Sequence, residues 1–76
     1  MNVNVYTSPG CAWCLKVKEY LDKKHVVYNE INVVTNRDAA MEMVRKTRQR
    51  GVPVVEVDGE FIIGFDQDGL DYHFGT

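Results

Sequence analysis

Cysteine is scarce in this chain: of 76 residues only two are cysteine, and both fall in the single stretch Cys11-Ala12-Trp13-Cys14. A disulfide that staples a fold joins distant segments, whereas closing so short a loop is worth only about 2 kcal/mol by chain entropy. A structural disulfide framework is therefore not the reading. An excess of positive charge is also missing, since the formal net charge is -2, which argues against electrostatic binding of nucleic acid by the chain as a whole. No apolar run approaches the roughly 20 residues a bilayer span requires, so no membrane partner is expected. Met1-Asn2-Val3 opens the chain with neither a basic nor an apolar leader region, so no signal peptide is expected. Internal repeats and low-complexity segments are absent. The two histidines, His25 and His73, stand at intervals from Cys14 unlike those of a zinc finger, and no metal site is expected.

What is present begins with 45% hydrophobic residues, enough for one small domain over 1–76 with a single core. Charge is unevenly placed: Arg45, Lys46, Arg48 and Arg50 precede Gly51, and then Glu56, Asp58, Glu60, Asp66, Asp68 and Asp71 run on without a basic residue. The basic group reads as a solvated helix face, with Arg48 or Arg50 as a candidate contact for an anionic substrate group.

The two cysteines carry the chemistry. Ser8-Pro9-Gly10 is turn chemistry that ends a strand and places Cys11 at the cap or first turn of a helix. Free N–H groups and the macrodipole at that end favour a thiolate. Cys11 is then the exposed nucleophile, and Cys14, one turn deeper, the resolving thiol that attacks any mixed disulfide formed on Cys11. Such a pair beside a βαβ pattern, without a leader, points to a redox role in the reducing cytoplasm. Trp13, held between the cysteines on an exposed turn, is expected to form a contact surface. Phe65 either extends that surface or packs in the core.

Val3, Val5 and Tyr6 make a short first strand, with Tyr6 expected to pack beneath the site. Cys11 to about Lys24 reads as a helix with Cys14, Val17, Tyr20 and Leu21 on its inner stripe. Val26-Val27-Tyr28 and Ile31 to Val34 form a second strand region, a parallel neighbour of the first through a right-handed crossover. Thr35 and Asp38 resemble a capping box for a helix ending near Gln49, with Ala39, Ala40, Met43, Val44 and Thr47 facing inward. Met41 and Met43 read as core or surface filler rather than a cofactor box. Val52 to Val57 and Glu60 to Ile63, joined by Asp58-Gly59, give an antiparallel hairpin. Pro53 belongs at the strand start because it cannot donate to the ladder; spacing alone leaves its isomer open. Asp66 is a candidate cap for a last helix from about Gln67 to Tyr72, which Gly69 weakens.

Three landmarks, Tyr6-Thr7-Ser8-Pro9-Gly10-Cys11-Ala12-Trp13-Cys14, Gly51-Val52-Pro53 and Gly64-Phe65-Asp66, occur in the order and separation of the glutaredoxin branch of the thioredoxin fold, which the chain resembles over nearly its whole length. The resemblance implies an α/β fold of order β-α-β-α-β-β-α with a four-stranded mixed sheet, and thiol–disulfide oxidoreductase activity through a Cys11/Cys14 cycle. It also implies a cis peptide before Pro53 that frees the backbone of Val52 to pair with an extended substrate. Trp13, Val52, Pro53, Gly64, Phe65 and Asp66 become the expected substrate-binding residues.

Glutathione-using members of that family commonly carry Cys-Pro-Tyr-Cys, a basic residue three positions before the first cysteine, and Gly-Gly-x-Asp-Asp. Here the matching residues are Cys11-Ala12-Trp13-Cys14, Ser8, and Ile63-Gly64-Phe65-Asp66-Gln67. Asp66 and its N–H remain able to hold a γ-glutamyl end, and Arg48 or Arg50 is the substitute for the missing base. The altered residues are more similar to the glutaredoxin-like redoxins that serve ribonucleotide reductase and are reduced by thioredoxin reductase. The expected partners are thus protein disulfides and thioredoxin reductase, with glutathione the alternative reductant. A monomer with no tightly bound cofactor is expected. A reading from another class makes Cys11 a ligand for an iron–sulfur cluster or soft metal carried between two chains. The lack of further cysteines and the proximity of Pro53 stand against it.

Overall fold

The central strand β1 (Val3–Thr7) is buried at four of its five positions, as a strand covered on both faces must be. In the computed structural model, which describes residues 1–75, it lies inside a four-stranded sheet of order β2-β1-β3-β4. The elements follow as α1 (Ala12–Lys23), β2 (Asn29–Asn32), α2 (Arg37–Thr47), β3 (Val54–Val57), β4 (Glu60–Ile63) and α3 (Gln67–Phe74). β1 pairs in parallel with β2 and antiparallel with β3, and β3 pairs antiparallel with β4. This is the mixed sheet and element order expected of a thioredoxin-like fold.

Period-2 alternation sends successive side chains to opposite faces. Val3, Val5, Val55, Val57 and Ile62 join Val17 and Leu21 of α1 and Leu70 and Phe74 of α3 in one buried cluster. Tyr6 and Val54 join Met43 of α2 in a second cluster on the other face. The inner stripe of α1 is buried at Cys14, Val17 and Leu21. Tyr20 is only partly covered.

The hairpin follows its turn residues: Asp58 and Gly59 both adopt positive φ, +48° and +91°, as a two-residue primed turn requires. β3 begins at Val54 rather than Val52, because Pro53 has no N–H for the ladder.

Four further boundaries differ from expectation. β2 comprises Asn29–Asn32, polar but for Ile31, and so leaves out Val26-Val27-Tyr28 and the Val33-Val34 end of the second expected run. It is an edge strand: the flanking Val26 and Tyr28 pack on the first cluster, while Val33 and, from within the ladder opposite Tyr6, Ile31 pack on the second. Val27 and Val34 remain exposed. The cap of α2 is Asn36, not Thr35: its side-chain oxygen accepts the Ala39 N–H at 3.0 Å. Thr35 instead reaches back to the Asn32 carbonyl at 3.4 Å. α2 ends at Thr47, where Arg48 turns into the left-handed region with φ +62°. α3 runs on to Phe74, two residues past Tyr72, because Leu70 and Phe74 anchor its inner face despite Gly69.

Candidate active site

β1 delivers the chain to the end of the sheet, where Ser8-Pro9-Gly10 reverses it, with Gly10 at φ +73°. That conformation is open to glycine at little steric cost. Cys11 then takes the N-cap position of α1, with extended backbone, φ -92° and ψ 108°. Its sulfur accepts the Cys14 N–H at 3.1 Å. A cap usually offers oxygen to that donor; here the Cys11 sulfur fills the role, placed where the macrodipole stabilises negative charge.

Cys11 and Cys14 are joined as a disulfide with Cα atoms 5.2 Å apart. Cys11 is partly exposed, whereas Cys14 is 2% exposed. The helix therefore separates the two sulfurs by access, which is the asymmetry an attacking and a resolving thiol need.

Val52 and Pro53 come from the segment before β3. Their peptide bond is cis, Pro53 is buried, and the Val52 carbonyl oxygen lies 3.9 Å from the Cys11 sulfur. The Pro53 carbonyl accepts the Gly64 N–H at 2.8 Å. That bond ties the loop after β4 to the one bearing Val52, so the Gly64-Phe65-Asp66 landmark meets the cysteine motif at one end of the sheet. Trp13 stands 59% exposed, its ring stacked on Phe65 with centroids 6.1 Å apart and planes inclined by 24°. Phe65 also packs against the first core cluster, so its ring bridges Trp13 and the core.

Asp66 has a local duty: its carboxylate accepts the Gly69 N–H at 3.2 Å and caps α3. Gly69 makes room for that cap, since a Cβ there would sit 2.8 Å from the Asp66 carboxylate and 3.2 Å from Ile62. Arg48 is exposed at the end of α2, and Arg50 lines a groove of about 800 Å³ along α2 together with Arg45 and Met41.

A cavity of about 370 Å³ opens at the disulfide itself, lined among others by Thr7, Ser8, Cys11, Cys14, Lys18 and Glu30. Lys18 and Glu30 meet across it at 3.0 Å, and the buried Thr7 hydroxyl donates to the same Glu30 oxygen at 3.0 Å. Lys18, aided by Thr7, holds the Glu30 carboxyl below the usual carboxylate range. Sequence reasoning missed this group: the spacing of Lys18 from Cys14, one helical turn, was legible, but its Glu30 partner is brought to it by the register of β2 against β1. Beneath the opposite face, Tyr6 donates to Glu56 at 3.2 Å, and burial followed by that carboxylate pushes its phenol up.

The histidines stay apart from the cysteines. His25 follows the far end of α1, a helix of 12 residues and hence roughly 18 Å long, and His73 lies by Met1 and Val26. Among the described residues, no group of three or more His, Cys, Asp or Glu is placed to hold a metal ion, and no helix is long and apolar enough to cross a membrane.

A redox-competent Cys-x-x-Cys at a helix N-terminus, facing a cis-proline at the end of a β2-β1-β3-β4 sheet, defines a thiol–disulfide oxidoreductase of the thioredoxin-like fold. The chain belongs to the glutaredoxin family, whose model, Glutaredoxin, matches residues 3–62. It is 38% identical over 69 residues to the uncharacterized glutaredoxin-like 8.6 kDa protein in the rubredoxin operon of Clostridium pasteurianum, covering 91% of this chain and 92% of that one. Among solved structures it is similar to the thioredoxin-like protein BC3987, with TM-score 0.87, 32% identity, and 93% and 97% of the two chains covered. It is also similar to the glutaredoxin-like NrdH-redoxin of Escherichia coli, described as having a thioredoxin-like activity profile, with TM-score 0.85, 26% identity, and 96% and 95% covered.

Proposed function

We propose that the chain is a small dithiol electron carrier that reduces protein disulfides, with ribonucleotide reductase among its substrates, and that thioredoxin reductase recharges it in the cytoplasm. The observation that carries the mechanism is the division of access at the disulfide: Cys11 reachable at the N-cap, Cys14 2% exposed behind it. In the disulfide the Cys11 sulfur accepts the Cys14 N–H, a donor placed to stabilise the Cys11 thiolate once the pair is reduced. It attacks one sulfur of the substrate disulfide, the other leaves as a thiolate, and a mixed disulfide forms on Cys11. Cys14 then attacks the Cys11 sulfur and expels the substrate's remaining thiolate. Two electrons have passed to the substrate, and the Cys11–Cys14 disulfide is restored.

The docking surface in this reading is Trp13 and Phe65 on one side and the backbone of Val52 ahead of Pro53 on the other, closed by Gly64 and Asp66. An extended substrate segment pairs with Val52 while its side chains meet the aromatic pair. Two features support thioredoxin reductase over glutathione. Ser8 stands where a basic residue would meet a glycine carboxylate, and the E. coli NrdH-redoxin that this chain resembles has a thioredoxin-like activity profile.

The test is an NADPH-coupled assay of protein-disulfide reduction with either thioredoxin reductase or glutathione plus glutathione reductase as the donor system. Turnover with thioredoxin reductase, and little with glutathione, is expected. Turnover with glutathione alone would assign the chain to the glutathione-dependent branch.

A further inference from the structure

Resolution makes a demand on Cys14 that the N-cap does not meet. Its thiol must lose a proton to attack Cys11, yet the residue is 2% exposed and no histidine is near it. The 370 Å³ cavity touches Cys14 and carries ionised groups, with Glu30 and Lys18 in its wall. Register explains why they meet there. Glu30 lies opposite Val5, and Asn32 opposite Thr7. Residues directly opposite share a face of the sheet, so Glu30 projects on the α1 side, where Lys18 lies one turn beyond Cys14. Because β2 is the sheet edge, α1 does not seal this corner, and the Glu30 side chain keeps 45% of its surface in solvent.

We propose that Glu30 accepts the Cys14 proton during resolution, through water in the cavity they share, with Lys18 and Thr7 as the positioning residues that fix its carboxylate. The inference rests on the dithiol cycle above. As the Cys14 sulfur bonds to the Cys11 sulfur, the bond from Cys11 to the substrate sulfur breaks and its electron pair leaves with the substrate thiolate. The Cys14 proton passes to the Glu30 carboxylate and from there to bulk water at the cavity mouth. The space and polarity suit bridging water. The groups facing Glu30 are the Lys18 ammonium from α1, the Thr7 hydroxyl from β1, and the Tyr28 phenol ahead of β2, whose proton burial, Asp22 and Glu30 together hold more tightly. The Lys18 hydrogen bond keeps Glu30 ionised and so unprotonated; the same bond weakens its hold on a proton, so the carboxylate relays the proton to water at the cavity mouth rather than storing it.

The test separates the two chemical steps. Stopped-flow release of reduced peptide, with a disulfide peptide in excess, reports resolution; mixed-disulfide formation in a Cys14→Ser background reports attack. Glu30→Gln keeps the side-chain shape and an acceptor for Thr7 and Lys18 but takes no proton at neutral pH. Resolution should fall about 10–100-fold, the low end for general-base effects because water intervenes, and should recover as pH rises and Cys14 ionises unaided. Attack in Cys14→Ser should be unchanged by Glu30→Gln, and Glu30→Asp should restore most of the resolution rate. Resolution as fast in Glu30→Gln as in the wild type, equal slowing of both steps, or Glu30→Asp as slow as Glu30→Gln would each overturn the proposal. A Cys14→Ser chain that forms no mixed disulfide at all would instead bring down the dithiol cycle itself.

Discussion

Replacing Trp13 with alanine isolates the contribution of the surface beside the disulfide. The residue is 59% exposed in the free protein. Taking roughly 200 Å² for a tryptophan, about 120 Å² remains for a partner to cover, worth about 3 kcal/mol at ~25 cal/mol per Å². Ordering the partner segment offsets part of that, leaving about 1–2 kcal/mol. The expected loss in kcat/KM is therefore roughly 5–30-fold for a protein disulfide. A small disulfide such as hydroxyethyl disulfide cannot span the ring, so its rate should change by less than about twofold on the same reasoning. Thermal unfolding should move little, because the lost intramolecular contact is one edge of the Phe65 stack. Steady-state kinetics with both substrates, alongside a melting curve, makes the comparison. Equal losses on both substrates, or a large drop in Tm, would refute the assignment of Trp13 to partner contact and return it to the scaffold.

Leu21→Ala, at a site with no exposure in the core under α1, should cost about 2–5 kcal/mol in denaturant unfolding; a loss under about 1 kcal/mol would contradict the packing described. Asn36→Ala should remove about 1 kcal/mol as the cap of α2 is lost, with Thr35→Ala nearly neutral. The reverse order would restore Thr35 as the cap. Tyr20 donates to Asp71 across α1 and α3, and burial, followed by that carboxylate, pushes its phenol up to about 12. Since the folded value lies above the unfolded one near 10, the contribution is complete below about pH 10 and is lost as pH rises through about 12. Unfolding midpoints between pH 9 and 12 should thus fall less steeply in Tyr20→Phe than in the wild type; parallel slopes would contradict this. Gly69→Ala should not give the ~1 kcal/mol gain that helix propensity promises, because the new Cβ meets the Asp66 cap at 2.8 Å. A clearly raised Tm would contradict the close approach.

The hairpin was legible because Asp58-Gly59 encodes its own turn geometry, and α1 because a turn, a cap and a buried stripe agree. β2 was misplaced for a reason periodicity cannot capture: at the sheet edge the ladder took three polar residues and only Ile31 of the apolar ones, while Val26, Tyr28 and Val33 outside it cover opposite faces. The cap of α2 required choosing between Thr35 and Asn36, two adjacent residues with similar capping ability, and only the path of the preceding loop decides. Within the site, Cys11, Cys14 and Trp13 were readable from spacing and exposure. The Glu30–Lys18 pair was not, because it depends on the register of β2 against β1, which brings together residues 12 positions apart. Asp66 was legible as the cap of the last helix, which it is.

The central claim is that Cys11 attacks and Cys14 resolves. Mass spectrometry of single-cysteine chains incubated with a disulfide peptide tests it most directly. Cys14→Ser should accumulate the peptide as a stable adduct on Cys11, and Cys11→Ser should remain essentially unmodified over the same interval because its remaining thiol is buried. Equal or faster adduct formation through Cys14, or no adduct on Cys11, would contradict the account.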